Sequence, residues 1–160
     1  MKKIILSILF TGIALIGYGQ SNLISYEDIK FLLHNNLGQA DTFIVAKGYT
    51  TMKKDDKKKT ATYKVNISGG TFVSLGIRAD GRRIFLELET NDANQYNLIN
   101  NSISQYLNTE ASIGDVQTYT IKNLCNIYIT ANDSRPYNPL KRTYLMQIVS
   151  DKNVHSFDGN

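Results

Sequence analysis

The dipeptide Asp80-Gly81 lies between two stretches that alternate apolar and polar residues, and it constrains this chain more than any other feature. An Asp-Gly pair in that setting reads as a two-residue hairpin turn. A turn centred there sets Ile77 opposite Ile84, Leu75 opposite Leu86 and Val73 opposite Leu88. Three apolar pairs then share one face. The other face receives Arg78 with Arg83, Gly76 with Phe85, Ser74 with Glu87 and Phe72 with Glu89. A slip of one residue would send every apolar side chain to the wrong side, so the partition is strongly specified. In this register Phe85 covers the bare Gly76.

The preceding segment agrees. From Thr60 to Ile67, Ala61, Tyr63, Val65 and Ile67 alternate with Thr62, Lys64 and Asn66. If Ser68-Gly69-Gly70 is a three-residue loop, Val65 faces Val73 and Tyr63 faces Leu75. Consecutive strands thus present one apolar side, which helices must cover.

The sequence supplies those helices. Ser25 can cap a first one, with Glu27 and Asp28 in its first turn and Ile29, Leu32, Leu33 and Leu37 at helical spacing. Gln39 to Lys47 reads as a second short helix stopped by Gly48, or as the far half of one kinked helix. Tyr49 to Met52 is a short strand leading into Lys53-Lys-Asp-Asp-Lys-Lys-Lys59. Asp92 to Leu107 is a further helix, with Tyr96, Ile99, Ile103 and Tyr106 or Leu107 on its apolar stripe. Strands follow at Val116–Lys122, Cys125–Ala131 and Arg142–Ser150, the last two joined by a loop holding both prolines. The expected fold class is α+β: one twisted antiparallel sheet of six or seven strands, with two or three helices packed on one face. The halves each run helix then strands, which allows a divergent pseudo-repeat without residue-level similarity.

Residues 1–19 stand apart from this pattern. Lys2 and Lys3 precede an apolar run from Ile4 to Gly17, and Gly17-Tyr18-Gly19 offers small residues at a cleavage site. This is the layout of a secretory signal peptide, too short for a comfortable membrane span. A permanent N-terminal anchor is the competing reading. The small-x-small site favours cleavage, leaving one domain, 20–160, with a polar tail from about residue 152. The only cysteine, Cys125, does not follow the leader, which closes the lipoprotein route. The mature chain is expected to be periplasmic or secreted, with no stable membrane anchor. The formal charge of +4 falls to +2 once Lys2 and Lys3 leave. That is weak footing for nucleic-acid binding, which needs a concentrated basic face.

Chemistry is sparse. One cysteine excludes an intrachain disulfide and a Cys-clustered metal site, and His34 and His155 are too few for a His-rich one. No phosphate loop, dinucleotide fingerprint, nucleophile elbow or zinc-protease motif occurs. No cofactor, metal or catalytic residue is assigned. Cys125 lies in an apolar strand without a neighbouring histidine and reads as core. Glu87 and Glu89 share a strand face, and paired carboxylates can run glycoside hydrolysis, but here they come without pocket builders or a Trp platform. The lysine-rich run reads as a solvated hairpin loop. Ten tyrosines, four of them at 119, 128, 137 and 144, give rigid area suited to an interface. The candidate interaction surface is the wetter sheet face with the proline loop: Phe72, Phe85, Glu87, Glu89, Arg135 and Tyr137.

Ser25-Tyr-Glu-Asp-Ile-Lys30, following the leader, and Ala40-Asp-Thr-Phe-Ile-Val-Ala-Lys-Gly-Tyr49 carry a likeness over about the first 90 residues. In these segments and its Asn/Tyr/Lys-rich strands the chain resembles small exported proteins of the Bacteroidota. The resemblance implies an organism group and a compartment, and transfers no functional residue. The expected function is that of an exported, non-enzymatic protein that binds another protein or an envelope component. Two alternatives are a periplasmic immunity or inhibitor protein against a toxin or hydrolase, and a hydrolase of envelope or extracellular polymer. The sequence leaves the oligomeric state open.

Overall fold

The computed structural model describes residues 22–132 and 142–152. Arg135, Tyr137, His155, the leader and the polar tail lie outside the described residues. Three helices, α1 (Tyr26–His34), α2 (Leu37–Ala46) and α3 (Ala93–Ile103), accompany seven strands. These are β1 (Thr50–Asp55), β2 (Thr60–Asn66), β3 (Phe72–Ala79), β4 (Ile84–Thr90), β5 (Val116–Ile121), β6 (Cys125–Asn132) and β7 (Thr143–Ser150). All form one antiparallel sheet in the order β1-β2-β3-β4-β7-β6-β5. The fold is α+β, as the alternation of the strands and the helical stripes require.

Helix starts follow side-chain caps. The Ser25 hydroxyl accepts from the Asp28 N–H at 3.1 Å, and the Asp28 carboxylate accepts from the Ser25 N–H at 2.7 Å. Asn36 and Gln39 form a second such box, at 2.9 and 3.2 Å. That cap starts α2 at Leu37, two residues before the sequence-based start, and separates α1 from α2. Leu37 therefore belongs to the second helix.

One core joins the layers. Ile29, Leu32 and Leu33 of α1, Ala40 and Ile44 of α2, and Ile99 and Ile103 of α3 are buried against one side of the sheet. That side carries Tyr63, Val73, Leu75, Ile77, Leu86, Leu88, Ile127, Ile129, Met146 and Ile148, all buried. At about 1.5–3 kcal/mol per buried large apolar side chain, this layer is the main stabilising term.

Gln95 is the polar exception that the helical stripe did not reveal. It is fully buried on α3. Its Oε1 accepts from the Ile24 N–H at 2.7 Å, and its Nε2 donates to the Ile24 carbonyl at 2.7 Å. The amide thus stands in for a strand partner and fixes the segment entering α1.

The β2–β3 register matches the expectation, with Val65 opposite Val73 and Tyr63 opposite Leu75. The β3–β4 register does not. Ile77 faces Leu86, Leu75 faces Leu88 and Ala79 faces Ile84, a shift of two residues from the expected pairs. The cause lies in the turn. The Asp80 carboxylate accepts from the N–H groups of Arg82 and Arg83, at 3.0 and 2.8 Å, and the Asp80 N–H reaches the Arg83 carbonyl at 3.1 Å. Asp80 is therefore the residue before the turn, and Gly81-Arg82 is its centre, with Gly81 at φ 83°. A two-residue shift preserves face parity, so the core assignment survives while every cross-strand partner changes.

Both sheet edges are occupied or interrupted. β1 runs to Asp55, past the expected end at Met52, and carries a register break between Thr51 and Lys53. Lys54 of the lysine-rich run is tied to Asp41 of α2 at 3.0 Å, so that run is partly structural. At the other edge, Leu107 bridges Tyr119 of β5 and the Asn108 N–H donates to the Thr118 carbonyl at 2.8 Å. Charged residues, bulges and covering segments of this kind prevent strand-to-strand association.

Candidate functional site

Among the described residues, helices cover one face of the sheet and none covers the other. Alternation assigns its side chains: even-numbered residues of β2, β3, β5 and β6, and odd-numbered residues of β4 and β7. Pairing arranges them in rows. One row reads Thr62, Gly76, Glu87, Gln147, Tyr128 and Thr118; the next reads Thr60, Arg78, Phe85, Val149, Asn126 and Thr120. The third runs Lys64, Ser74, Glu89, Leu145, Thr130 and Val116.

Of the residues singled out in the sequence, Phe72, Phe85, Glu87 and Glu89 share this face. Their neighbours differ from the expected ones because of the β3–β4 shift. Arg78 meets Phe85, not Arg83, and its guanidinium carbon lies 4.5 Å from the ring centroid. An expected like-charge contact is thus an attractive cation–π pair. Glu89 faces Ser74, and Phe72 lies beside Lys64, whose Nζ is 4.8 Å from the ring centroid. Gly76 faces Glu87 and has no aromatic cover in the pair.

Both carboxylates are exposed. Glu87 accepts from Gln147 Nε2 at 3.2 Å, and neither Glu87 nor Glu89 forms an ion pair among the described residues. Two hollows share Glu87; the first opens on this face, and the second also takes in Ile129 and Tyr96 of the helix side. One, of about 580 Å³, lies over Gly76 between Thr62, Arg78, Phe85 and Tyr128. The other, of about 1030 Å³, is bordered by Glu87, Glu89, Asp115, Arg142 and Tyr96. Tyr96 of α3 stacks on Tyr144 of β7 with ring centroids 4.2 Å apart. Burial, then the neighbouring Tyr144, raises the Tyr96 phenol above its ordinary value.

Gly76, Arg78 and Gln147 were not picked from the sequence as site residues, and Tyr128 was noted only among the tyrosines suited to an interface. Tyr128 and Gln147 join the site only through the pairing of β7 with β4 and β6, which no local pattern announces. Gly76 and Arg78 were placed on this face but given the wrong partners.

The remaining candidates are structural. Cys125 is 2% exposed, and burial pushes its thiol up to about 12, far from a nucleophilic thiolate at neutral pH. His34 is exposed on α1, its Nδ1 2.7 Å from the Lys30 carbonyl oxygen. Among the described residues no group of His, Cys, Asp and Glu could hold a metal ion, and no helix is long and apolar enough to cross a membrane. The chain matches no protein-family model, no curated protein and no solved structure.

Proposed function

We propose that this chain is an exported, non-enzymatic binding protein of the bacterial envelope, and that it meets a protein partner through the uncovered sheet face. The supporting observation is the composition of that face. The hollow over Gly76, two cation–π pairs and two carboxylates without ionic partners among the described residues lie on the side that no described helix covers. A hydrogen-bonded sheet holds such groups in place before binding, which lowers the entropy cost of association. The interrupted and covered edges disfavour strand addition and leave the face as the contact surface.

The leader and the resemblance to exported Bacteroidota proteins support the compartment. An immunity or inhibitor protein is the narrower form of the same reading, in which the partner is a toxin or hydrolase and the rigid face blocks it. A hydrolase reading would rest on Glu87 and Glu89. General acid catalysis favours a carboxyl group withdrawn from water, and both of these are exposed.

Affinity capture from the envelope and secreted fractions of the source organism, with mass spectrometry of the retained proteins, addresses the reading directly. The wild-type chain should retain one stoichiometric protein. The double variant Glu87→Lys, Glu89→Lys should lose it, and Lys57→Glu in the β1–β2 turn should keep it. Capture that is absent, or unaffected by the face variant, refutes the proposal.

A further inference from the structure

Gly76 sits inside β3, paired with Thr62 of β2 on one side and Glu87 of β4 on the other with no break in register. Glycine in such a position weakens a strand through backbone entropy and lost side-chain packing. Three reasons commonly explain one: a bulge, a left-handed backbone, or a close approach by something else. The continuous register removes the first. The second fails because Gly76 is absent from the positive-φ positions. Crowding within the chain is no explanation either, since an added Cβ would lie 3.8 Å from Glu87 Cβ and 3.8 Å from the Glu87 carbonyl oxygen, ordinary contacts. The backbone tolerates a side chain here, yet none is present, and the hollow lies over the gap.

The sheet does not cover this glycine from within. Phe85, the ring that would do so in the expected register, is one row away and occupied by Arg78. The charges around the hollow then restrict what can fill it. Its charged lining residues are one guanidinium, Arg78, and one carboxylate, Glu87. A cation entering meets Arg78, and an anion meets Glu87. A neutral ring with an N–H or O–H at its edge suits both. Its electron-rich face can lie towards the guanidinium, its edge donor can reach the acceptor-only carboxylate, and its body can cover Gly76 beside Tyr128.

We infer that the hollow over Gly76 is an anchor pocket for a tryptophan or tyrosine side chain of the protein partner. This inference rests on the proposed use of the sheet face and names the chemistry that would recognise it. Large aromatic anchors in central pockets carry much of the affinity in protein interfaces.

The experiment titrates N-acetyl-tryptophanamide into the isotopically labelled full chain and follows backbone amide resonances. Parallel titrations use the phenylalanine, leucine and lysine amides. Saturable shifts should centre on Gly76, Arg78, Glu87 and Gln147 with the tryptophan amide. The leucine and lysine amides should bind at least about tenfold more weakly, a difference of about 1.4 kcal/mol. The phenylalanine amide should fall between them, because it lacks the donor. Gly76→Val should abolish the tryptophan shifts while leaving distant resonances in place. Glu87→Met, which keeps the length but carries no oxygen acceptor, should bring the tryptophan amide down to the phenylalanine level.

Equal shifts with leucine, stronger binding of lysine, no saturable shifts, or insensitivity to Gly76→Val would each overturn the ring assignment. A partner captured through the face, together with no tryptophan binding, sinks this inference alone. Tryptophan binding with no captured partner sinks the partner reading and leaves a ring-binding pocket.

Discussion

Removing the buried amide of Gln95 should cost more stability than almost any other single polar change in this chain. Gln95 is fully buried, and its two hydrogen bonds satisfy both the N–H and the carbonyl of Ile24, itself fully buried. In Gln95→Ala, both backbone groups lose their partner in a site closed to water. Each unsatisfied buried group costs about 1–3 kcal/mol, so the pair amounts to about 2–6 kcal/mol before any cavity term. A total of about 4 kcal/mol is a large share of the roughly 5–15 kcal/mol typical of a domain. Urea unfolding followed by far-ultraviolet circular dichroism measures it; the ten tyrosines give a second signal in a chain without tryptophan.

Gln95→Glu sharpens the test because it keeps the shape. A carboxylate can accept from the Ile24 N–H but cannot donate to the Ile24 carbonyl, whereas the protonated acid can do both. Burial and that donated bond both raise the folded-state pKa above the ordinary glutamate value of about 4.3. The folded state then binds more protons than the unfolded state above that value. The stability of the variant should therefore be greatest in acid relative to wild type and decline as pH rises through the raised value. A loss below about 1 kcal/mol in Gln95→Ala, against the 2–6 kcal/mol expected for two orphaned groups, or a pH-independent loss in Gln95→Glu, would refute the reasoning.

Three further outcomes follow from the same structure. Gly76→Val should stabilise the fold by up to about 1 kcal/mol, because a β-branched side chain replaces glycine in a strand with room for it; a fall in melting temperature would show that the glycine is needed by the backbone. Tyr63→Phe should cost about 1 kcal/mol through the lost 2.9 Å bond from Tyr63 Oη to Asp41. The Asp41 carboxyl is held below its ordinary value of 3.8, first by Lys54 and also by Tyr63. Its contribution is present above 3.8 and is lost as pH falls through the lowered folded value; in Tyr63→Phe, carbon-detected titration should show that value move back upward. Cys125 should resist thiol reagents at neutral pH and react only in denaturant, and rapid labelling of the folded chain would contradict its burial.

Sequence patterns revealed strand existence, face parity and helix order because each rests on local periodicity. Ile77, Leu86 and Leu88 reach the core in either β3–β4 register, so a wrong turn centre left the core intact. The turn itself turned on one side-chain choice: Asp80 uses its carboxylate to cap the Arg82 and Arg83 amides, which moves the bend to Gly81-Arg82. That choice decides whether Gly76 lies beside Phe85 or Glu87, and so whether a hollow exists. Gln95 escaped notice because its role depends on Ile24, distant in sequence. Tyr128 and Gln147 met Glu87 through strand pairing across the midline of the sheet, which alternation within single strands does not encode.

The strand order has a consequence for how the molecule comes into being. β7, the last of the described strands, lies between β4 and β6 near the middle of the sheet. Until it arrives, β4 is a bare edge and the β5–β6 pair has no attachment to the N-terminal strands. A chain in which β7 has not yet docked therefore holds two separate half-sheets, and that strand acts as a keystone. Shortening the C-terminus into β7 would not trim a border but split the sheet along its centre, dividing the groove shared by Glu87, Gln147 and Tyr128 with it.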